Sequence, residues 1–398
     1  MVIDSIKRAY DLRQTLKKDD KILVVDFSGT LQGKDTSKVI ELMPNINTNE
    51  FIFRTKINTK PIDPIAAEIY RKEYFDVSQN REKDIEEIIK KDEFDFPLWF
   101  KHEKNFNMRQ VLDYNSPFII QVAGCNFHDG SSTGGCWYCF VDDKSNNGII
   151  EGGKTFLSVK DTIESMLYAR KKINEQYKKY NKDVNIKVIR TSGGEPTIVL
   201  DWILDLWNNI SRQNLDFVGQ IDTNLSTGAI IDDFEKKGIF EKNILEKLAE
   251  HPVKILAAIK GVDWKNLQNN VQSSATIEEQ KYSLIKIIKA GLDAYIPAYN
   301  PNPNTLENYL AEMDKIIENF SLRVHIGPLK VYGPTIQRIT LEARNKGINP
   351  EDLIEKYKSE WNSNYKKSCE VIDSYLRKNY NIGYKETTRS DVKLKVRS

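Results

Sequence analysis

The sequence has little cysteine, four residues in 398. That is too few for a disulfide scaffold, and thiols in a reducing compartment stay free. It has no run of 18 apolar residues, so no membrane-spanning helix is expected. Met1 to Asp20 is charged and amphipathic and lacks an apolar signal core, so the expected location is cytoplasmic. Neither sign of charge dominates. Lys plus Arg number 59 against 57 Asp plus Glu, a net charge of +2, without the basic excess of a dedicated nucleic-acid binder. There is no internal repeat and no low-complexity tract. Apolar residues are present in quantity: 40% hydrophobic against 29% charged supports a packed core and excludes wholesale disorder. At about 150 residues per domain the length suggests two or three domains, although α/β barrels run to roughly 250 residues as one unit.

From residue 117 onward, short apolar runs alternate with amphipathic stretches. Pro117 to Ala123, Asn185 to Thr191, Phe217 to Asp222, Val253 to Ile259, Asp293 to Ala298 and Leu322 to Ile326 read as strands. Between them, Ser158 to Tyr177, Ile198 to Ile210, Ile244 to Glu250, Thr276 to Ala290 and Asn304 to Asn319 have helical spacing, and Gly291 sits where a glycine stops a helix. Continuous apolar strands alternating with helices predict a parallel sheet covered on both faces and joined by right-handed crossovers. Periodicity leaves open whether that sheet is a partial barrel or an open doubly wound sheet. Lys21 to Phe27 is strand-like. Asn349-Pro350-Glu351 reads as a helix start, and the segment with Lys393, Lys395 and Arg397 reads as a solvated tail.

Three of the cysteines, Cys125, Cys136 and Cys139, fall within fifteen residues, just after the carboxyl end of the first core strand. In parallel α/β sheets ligands bind at that edge. Two thiolates two residues apart can face one metal or cluster, and the Gly, Ser and Thr residues from Gly130 to Gly135 form a loop that can bring in the third. Three thiolates fit a four-iron cluster with one iron left open for a ligand. Cys125, His128, Cys136 and Cys139 would also suit a structural zinc ion, and Cys136 with Cys139 a redox dithiol. A second feature is Ser192-Gly193-Gly194-Glu195-Pro196-Thr197 at the end of the second core strand. Two glycines there let the backbone approach a ligand closely, the carboxylate can accept from an ammonium group, and Pro196 starts the next helix.

Together these segments resemble the radical S-adenosylmethionine superfamily over roughly residues 115 to 335. The resemblance implies a partial (βα)6 barrel of parallel strands, an α/β fold class. Around it would lie an N-terminal α+β accessory region over 1–112 and a C-terminal helical extension over 336–398, with the core at 113–335. It implies a [4Fe-4S] cluster held by Cys125, Cys136 and Cys139, with Tyr138 as the aromatic residue before the last ligand and near the adenine. Glu195, beside the Gly193 and Gly194 backbone, would hold the methionine amino group of S-adenosylmethionine. Gln220 to Asn224 (QIDTN) looks like a strand end of pyruvate formate-lyase activating enzymes. This makes Asp222 and Asn224 further cofactor-binding residues, contacting ribose or carboxylate. Ile259 to Asp263 and His325 to Gly333 resemble later strand ends of the same enzymes. The spacing departs from the family's commonest pattern: ten residues rather than three separate Cys125 from Cys136, as in some 7-carboxy-7-deazaguanine synthases. Too few cysteines remain for auxiliary clusters, and no cobalamin-binding segment is evident.

The activity so implied is reductive cleavage of S-adenosylmethionine to a 5′-deoxyadenosyl radical, which takes a hydrogen atom from a substrate. The partners implied are an electron donor such as flavodoxin or ferredoxin, and a small molecule as substrate. Two other functions compete: an activase that makes a glycyl radical on a partner protein, and a non-enzymatic, zinc-stabilised α/β binding protein. His128 is read as a donor to the cluster, a substrate base or a solvated loop histidine. Trp137 is read as a packing residue, and Lys260 and Lys330 as strand-end cations, more often simply solvated at such positions but able to meet an anionic substrate. Leu23 to Leu31 (LVVDFSGTL) resembles the first motif of haloacid-dehalogenase phosphatases, with Ser28 in place of the second acid. It is read here as a structural strand.

Overall fold

The computed structural model describes residues 4–25, 41–44, 51–55, 118–128, 134–178, 188–329, 331–384 and 392–397. Most of the expected accessory region lies outside the described residues, as do Asp26, Ser28, Lys330 and residues 129–133 of the Gly-rich loop.

Six strands run parallel: β1 Phe118–Val122, β2 Val188–Gly193, β3 Val218–Thr223, β4 Val253–Ala257, β5 Asp293–Tyr299 and β6 Val324–Gly327. Their order in the sheet is their order in the chain. That is the order of a (βα) barrel, whereas a doubly wound sheet reverses its strand order at a switch point. Among the described residues β1 and β6 do not pair, so the barrel stays open. On the β1 side the sheet continues antiparallel through Lys21–Val25, which pairs with Lys154–Ser158, and through Phe51–Thr55. The described start of the phosphatase-like segment, Leu23 to Val25, is therefore a strand of this same sheet.

The intervening helices are α1 Val159–Lys178, α2 Leu200–Arg212, α3 Ile244–Ala249, α4 Ile277–Lys289 and α5 Pro303–Ile316, followed by α6 Gly333–Lys346 and α7 Pro350–Tyr380. Local chemistry explains their ends. Thr276 and Glu279 form a reciprocal capping box at the start of α4, Gly291 adopts φ +90 just after it, and Asn349 caps α7 with Pro350 in its first turn. Two short helices, Gly228–Lys236 and Trp264–Asn270, were not foreseen, because nine and seven residues give too little periodicity to read. The last strand starts at Val324 rather than Leu322, since Phe320–Arg323 forms a helical turn.

Among the described residues helices do not cover both faces, contrary to expectation. In register, Phe118, Ile120, Ile189, Thr191, Ile221, Ile255, Ala257, Ala294 and Ile296 form one buried, mostly apolar face. The helices pack there: a Cβ at Gly219 would stand 2.2 Å from the Trp207 ring of α2. The alternate positions include Gln121, Arg190, Ser192, Gln220, Asp222, Lys254, Asp293, Tyr295 and His325. This second, polar face carries its own ion pairs, Arg190 with Asp222 and both Lys254 and Arg323 with Asp293. Burying charge is tolerable when it is paired, so curling the sheet keeps these pairs on the concave side and sends the apolar face to the helices.

The C-terminal segment is not a free tail. Lys395–Val396 pairs antiparallel with Ile317–Glu318, and Arg323 donates to the Val392 carbonyl. Its cations alternate outward while Leu394 and Val396 pack against the core, a period-two pattern overlooked behind the charge. The main apolar cluster includes Leu12 and Leu16 of the helix Ser5–Leu16, the barrel strands, and Trp361, Ile372 and Leu376 of α7. No helix among the described residues is long and apolar enough to cross a membrane.

Candidate active site

The loop after β1 is built by backbone hydrogen bonds. Gly124, at φ +82, donates to Ser145 O at 2.7 Å, and Cys125 N donates to Asn146 O at 2.9 Å, so the short helix Asp143–Asn146 folds back over the strand end. Gly135–Cys136 pairs antiparallel with Val271–Gln272, and Cys139 N closes a turn onto Cys136 O at 3.1 Å. Cys136 is buried, while Cys125 and Cys139 are half-buried, and all three are free thiols.

The Gly193-Gly194-Glu195 segment is joined to this loop. Gly194 N donates to Val122 O at 2.9 Å and Glu195 N to Gly124 O at 2.8 Å. A Cβ on Gly194 would lie 1.6 Å from the Gly124 carbonyl oxygen, so glycine is required there for contact between the two loops, not only for a ligand. Alanine at Gly194 is expected to lower stability by about 3 kcal/mol or more. Alanine at Gly152, where nothing lies within 4 Å, should be near neutral. Denaturant unfolding of the two variants checks this.

Glu195 is fully buried. Its Oε1 accepts from the Thr197 hydroxyl at 2.5 Å and its Oε2 from Asn224 N at 2.7 Å. Burial pushes its carboxyl above the ordinary glutamate range, against the pull of those donors. Asn224, at the end of β3, sits between acid and thiol. Its Nδ2 lies 3.8 Å from Cys125 Sγ and donates to Asn126 Oδ1 at 2.9 Å. Cys125, Glu195 and Asn224 thus stand together at the carboxyl ends of β1, β2 and β3. Burial raises the Cys125 thiol, reinforced by Cys136 and Glu195; it raises Cys136 to about 11, against the pull of Lys260.

Other expected residues sit differently. Asp222 accepts from Arg190 Nε at 2.9 Å, Ser192 Oγ at 2.7 Å and Gln220 Nε2 at 2.8 Å, which hold its oxygens on the concave face. Tyr138 is buried with its ring 5.9 Å from that of Tyr299 and 6.4 Å from that of Trp361, and among the described residues its hydroxyl has no hydrogen-bond partner. Lys260 Nζ lies over both tyrosine rings, 5.5 Å from Tyr138 and 5.1 Å from Tyr299. Trp137 stacks on Tyr357 at 6.3 Å, consistent with packing.

His128 is not a solvated loop residue. It is 1% exposed, and its Nε2 meets Asp143 Oδ1 at 2.9 Å. The same oxygen takes Arg338 of α6, whose guanidinium also donates to Cys139 O at 2.6 Å and Val141 O at 2.8 Å. On the other side Arg8 donates to the His128 and Asn147 carbonyls. Sequence reading missed Arg338, Arg8 and Asn146, whose Nδ2 lies 3.7 Å from Cys139 Sγ. Arg338 stands 199 positions from Cys139, and no local pattern announces such a pairing.

Among the described residues no three His, Cys, Asp or Glu side chains converge on one point as a single ion requires. Around tetrahedral zinc the sulfurs would approach to about 3.8 Å. In a cubane each thiolate binds a different iron, so its sulfurs stand further apart than around one ion. No protein-family model matches the chain, and no curated protein matches it. Among solved structures, the cobalamin-dependent S-adenosylmethionine radical enzyme OxsB with aqua-cobalamin bound has a TM-score of 0.35 and 14% identity. That match covers 57% of this chain and 35% of the other. A tagged form of anSMEcpe with bound AdoMet has a TM-score of 0.31 and 15% identity, over 56% of this chain and 57% of the other. Over somewhat more than half of its length the chain is similar to these two structures. It spans about a third of the OxsB chain and about half of the anSMEcpe chain.

Proposed function

We propose that this protein is a radical S-adenosylmethionine enzyme in which Cys125, Cys136 and Cys139 hold a [4Fe-4S] cluster and Glu195 receives the cofactor's amino group. The observation that carries the reading is Asn224, whose side chain reaches Cys125 while its backbone N–H reaches Glu195. A thiol loop and a buried carboxylate are thereby joined at the ligand-binding edge of a parallel barrel. When bound, the cluster supplies the single electron that breaks the cofactor's carbon–sulfur bond and yields a 5′-deoxyadenosyl radical. This chain's residues do the rest. Glu195 offers a desolvated carboxylate whose charge an incoming ammonium would stabilise. The Gly194–Gly124 contact holds that carboxylate against the thiol loop. Tyr138, Tyr299, Trp361 and Tyr357 cover the site with rings that exclude water from a reactive primary radical. An external one-electron donor of the flavodoxin or ferredoxin type completes the reading.

Anaerobic reconstitution with iron and sulfide tests it. Charge-transfer absorbance near about 400 nm and release of 5′-deoxyadenosine after reduction are expected, whereas stoichiometric zinc without cleavage would reject it. Glu195→Gln is expected to weaken cofactor binding by about 2 kcal/mol, roughly thirtyfold in Kd, with the cluster retained. Because the folded carboxyl titrates above its ordinary range, a proton competes with the ligand's ammonium at a higher pH than it would at an exposed glutamate. Wild-type affinity should therefore fall on acidification from pH 8 to 5. Equilibrium dialysis across that range measures it, and a flat profile would contradict the assignment.

A further inference from the structure

Two of the three thiols face an amide from a different element, and a cation stands over a ring of the loop that carries the third. Cys125 Sγ faces the amide of Asn224 at 3.8 Å, from the end of β3. Cys139 Sγ faces the amide of Asn146 at 3.7 Å, from the short helix Asp143–Asn146. The ammonium of Lys260, just past the end of β4, lies 5.5 Å from the ring of Tyr138, which stands between Cys136 and Cys139 in the thiol loop. Lys260 also differs from its neighbours. Arg190 and Lys254 on the concave sheet face, and Arg323 in the turn before β6, are each bound to an aspartate. Among the described residues the Lys260 ammonium meets no carboxylate. It rests instead over the rings of Tyr138 and Tyr299.

A half-buried cation without a counter-ion in a ring-lined site is costly unless something anionic lies beside it. A three-thiolate iron–sulfur centre is anionic, and reduction adds one more negative charge. A fixed cation therefore favours the reduced form, as N–H groups directed at the sulfurs do. We propose that Lys260 acts by charge, without ligating iron, to raise the reduction potential of the centre, with Asn146 and Asn224 as the accompanying amide donors. The inference rests on the function proposed above and adds a regulating residue to that same site. By raising the potential, Lys260 brings the centre within reach of a biological one-electron donor.

The experiment is a redox titration of the reconstituted full-length protein, followed by the electron paramagnetic resonance signal of the reduced cluster without substrate. Lys260→Gln is expected to shift the oxidised-to-reduced ratio at fixed potential about tenfold toward oxidised, about 59 mV for one electron. Lys260→Arg should keep the wild-type potential. Lys254→Gln, which removes an ion-paired cation from the same sheet face, should barely move it. Wild-type potential in Lys260→Gln, or an equal shift in Lys254→Gln, overturns the proposal while leaving the radical-enzyme reading intact. If Lys260→Gln takes up no cluster, Asn146→Leu decides: a lowered potential supports the proposal and an unchanged one overturns it. A wild-type protein that assembles no cluster overturns both readings.

Discussion

Alanine at Cys125, Cys136 or Cys139 is expected to abolish S-adenosylmethionine cleavage, while alanine at Cys369 leaves it unchanged. If each thiolate binds a separate iron, the other two have no means of replacing it. Losing a group outside the ligand set already costs roughly 10- to 100-fold in metal affinity or activity. Losing a ligand should exceed that, to on the order of 10³-fold or below detection. The fold should survive, because Cys125 and Cys139 are only half-buried and the loop is held mostly by its backbone: Cys125 N to Asn146 O, Cys139 N to Cys136 O, and the Cys136 pairing with Val271. Cys369 lies on α7, half-buried and far along the chain from the loop. Iron content, the thermal transition and 5′-deoxyadenosine yield separate the outcomes. A single variant of the three with full iron and full cleavage would remove that residue from the ligand set.

The largest expected effect on stability belongs to Arg338. Its guanidinium is 1% exposed and donates to two loop carbonyls and to Asp143. Methionine in its place would leave both carbonyls without that donor and Asp143 with His128 alone. Breaking a buried pair on one side costs about 3–5 kcal/mol. For a chain of this size that is a fall of roughly 4–6 °C in Tm. Lysine should rescue little, since a single ammonium cannot reproduce the planar fork that reaches three acceptors. The pH dependence has a definite sign. Burial pushes the Asp143 carboxyl up, but His128 and Arg338 outweigh it and hold it below the ordinary aspartate range. A depressed carboxyl contributes stability above its unfolded pKa and loses it as pH falls through the folded one. Without Arg338 the folded value rises, so acid unfolding should begin at a higher pH. Calorimetry of wild type and Arg338→Met between pH 3 and 7 reads both effects. Equal transitions at every pH would show that the guanidinium contributes nothing net.

Most of the secondary structure could be read from the sequence because its signals are local. Apolar runs of strand length, helical spacing, Gly291 after α4 and Asn349-Pro350 before α7 each act over a few residues. The thiol loop and the Gly-Gly-Glu-Pro turn were legible for the same reason, since Cys136 and Cys139, or Gly193 to Pro196, are neighbours in the chain. The two short helices and the period-two pattern of residues 392–397 were present in the same text. They were too short, or too masked by charge, to stand out.

Composition and spacing were enough to establish a parallel α/β core, a three-thiol loop at its ligand-binding edge and an acid-bearing turn beside it. They could not say which polar side chains meet one another. Asp222 and Asn224 lie two residues apart on one strand, yet Asp222 is bound to Arg190 and Asn224 reaches Cys125 and Glu195. The polar concave face, the Arg338 contacts with the thiol loop and the Lys260 position over two tyrosines likewise emerged only from folding. Hydrogen bonds and ion pairs between distant segments depend on how sheet curvature and helix packing bring strand ends together. That information resides in no window of adjacent residues.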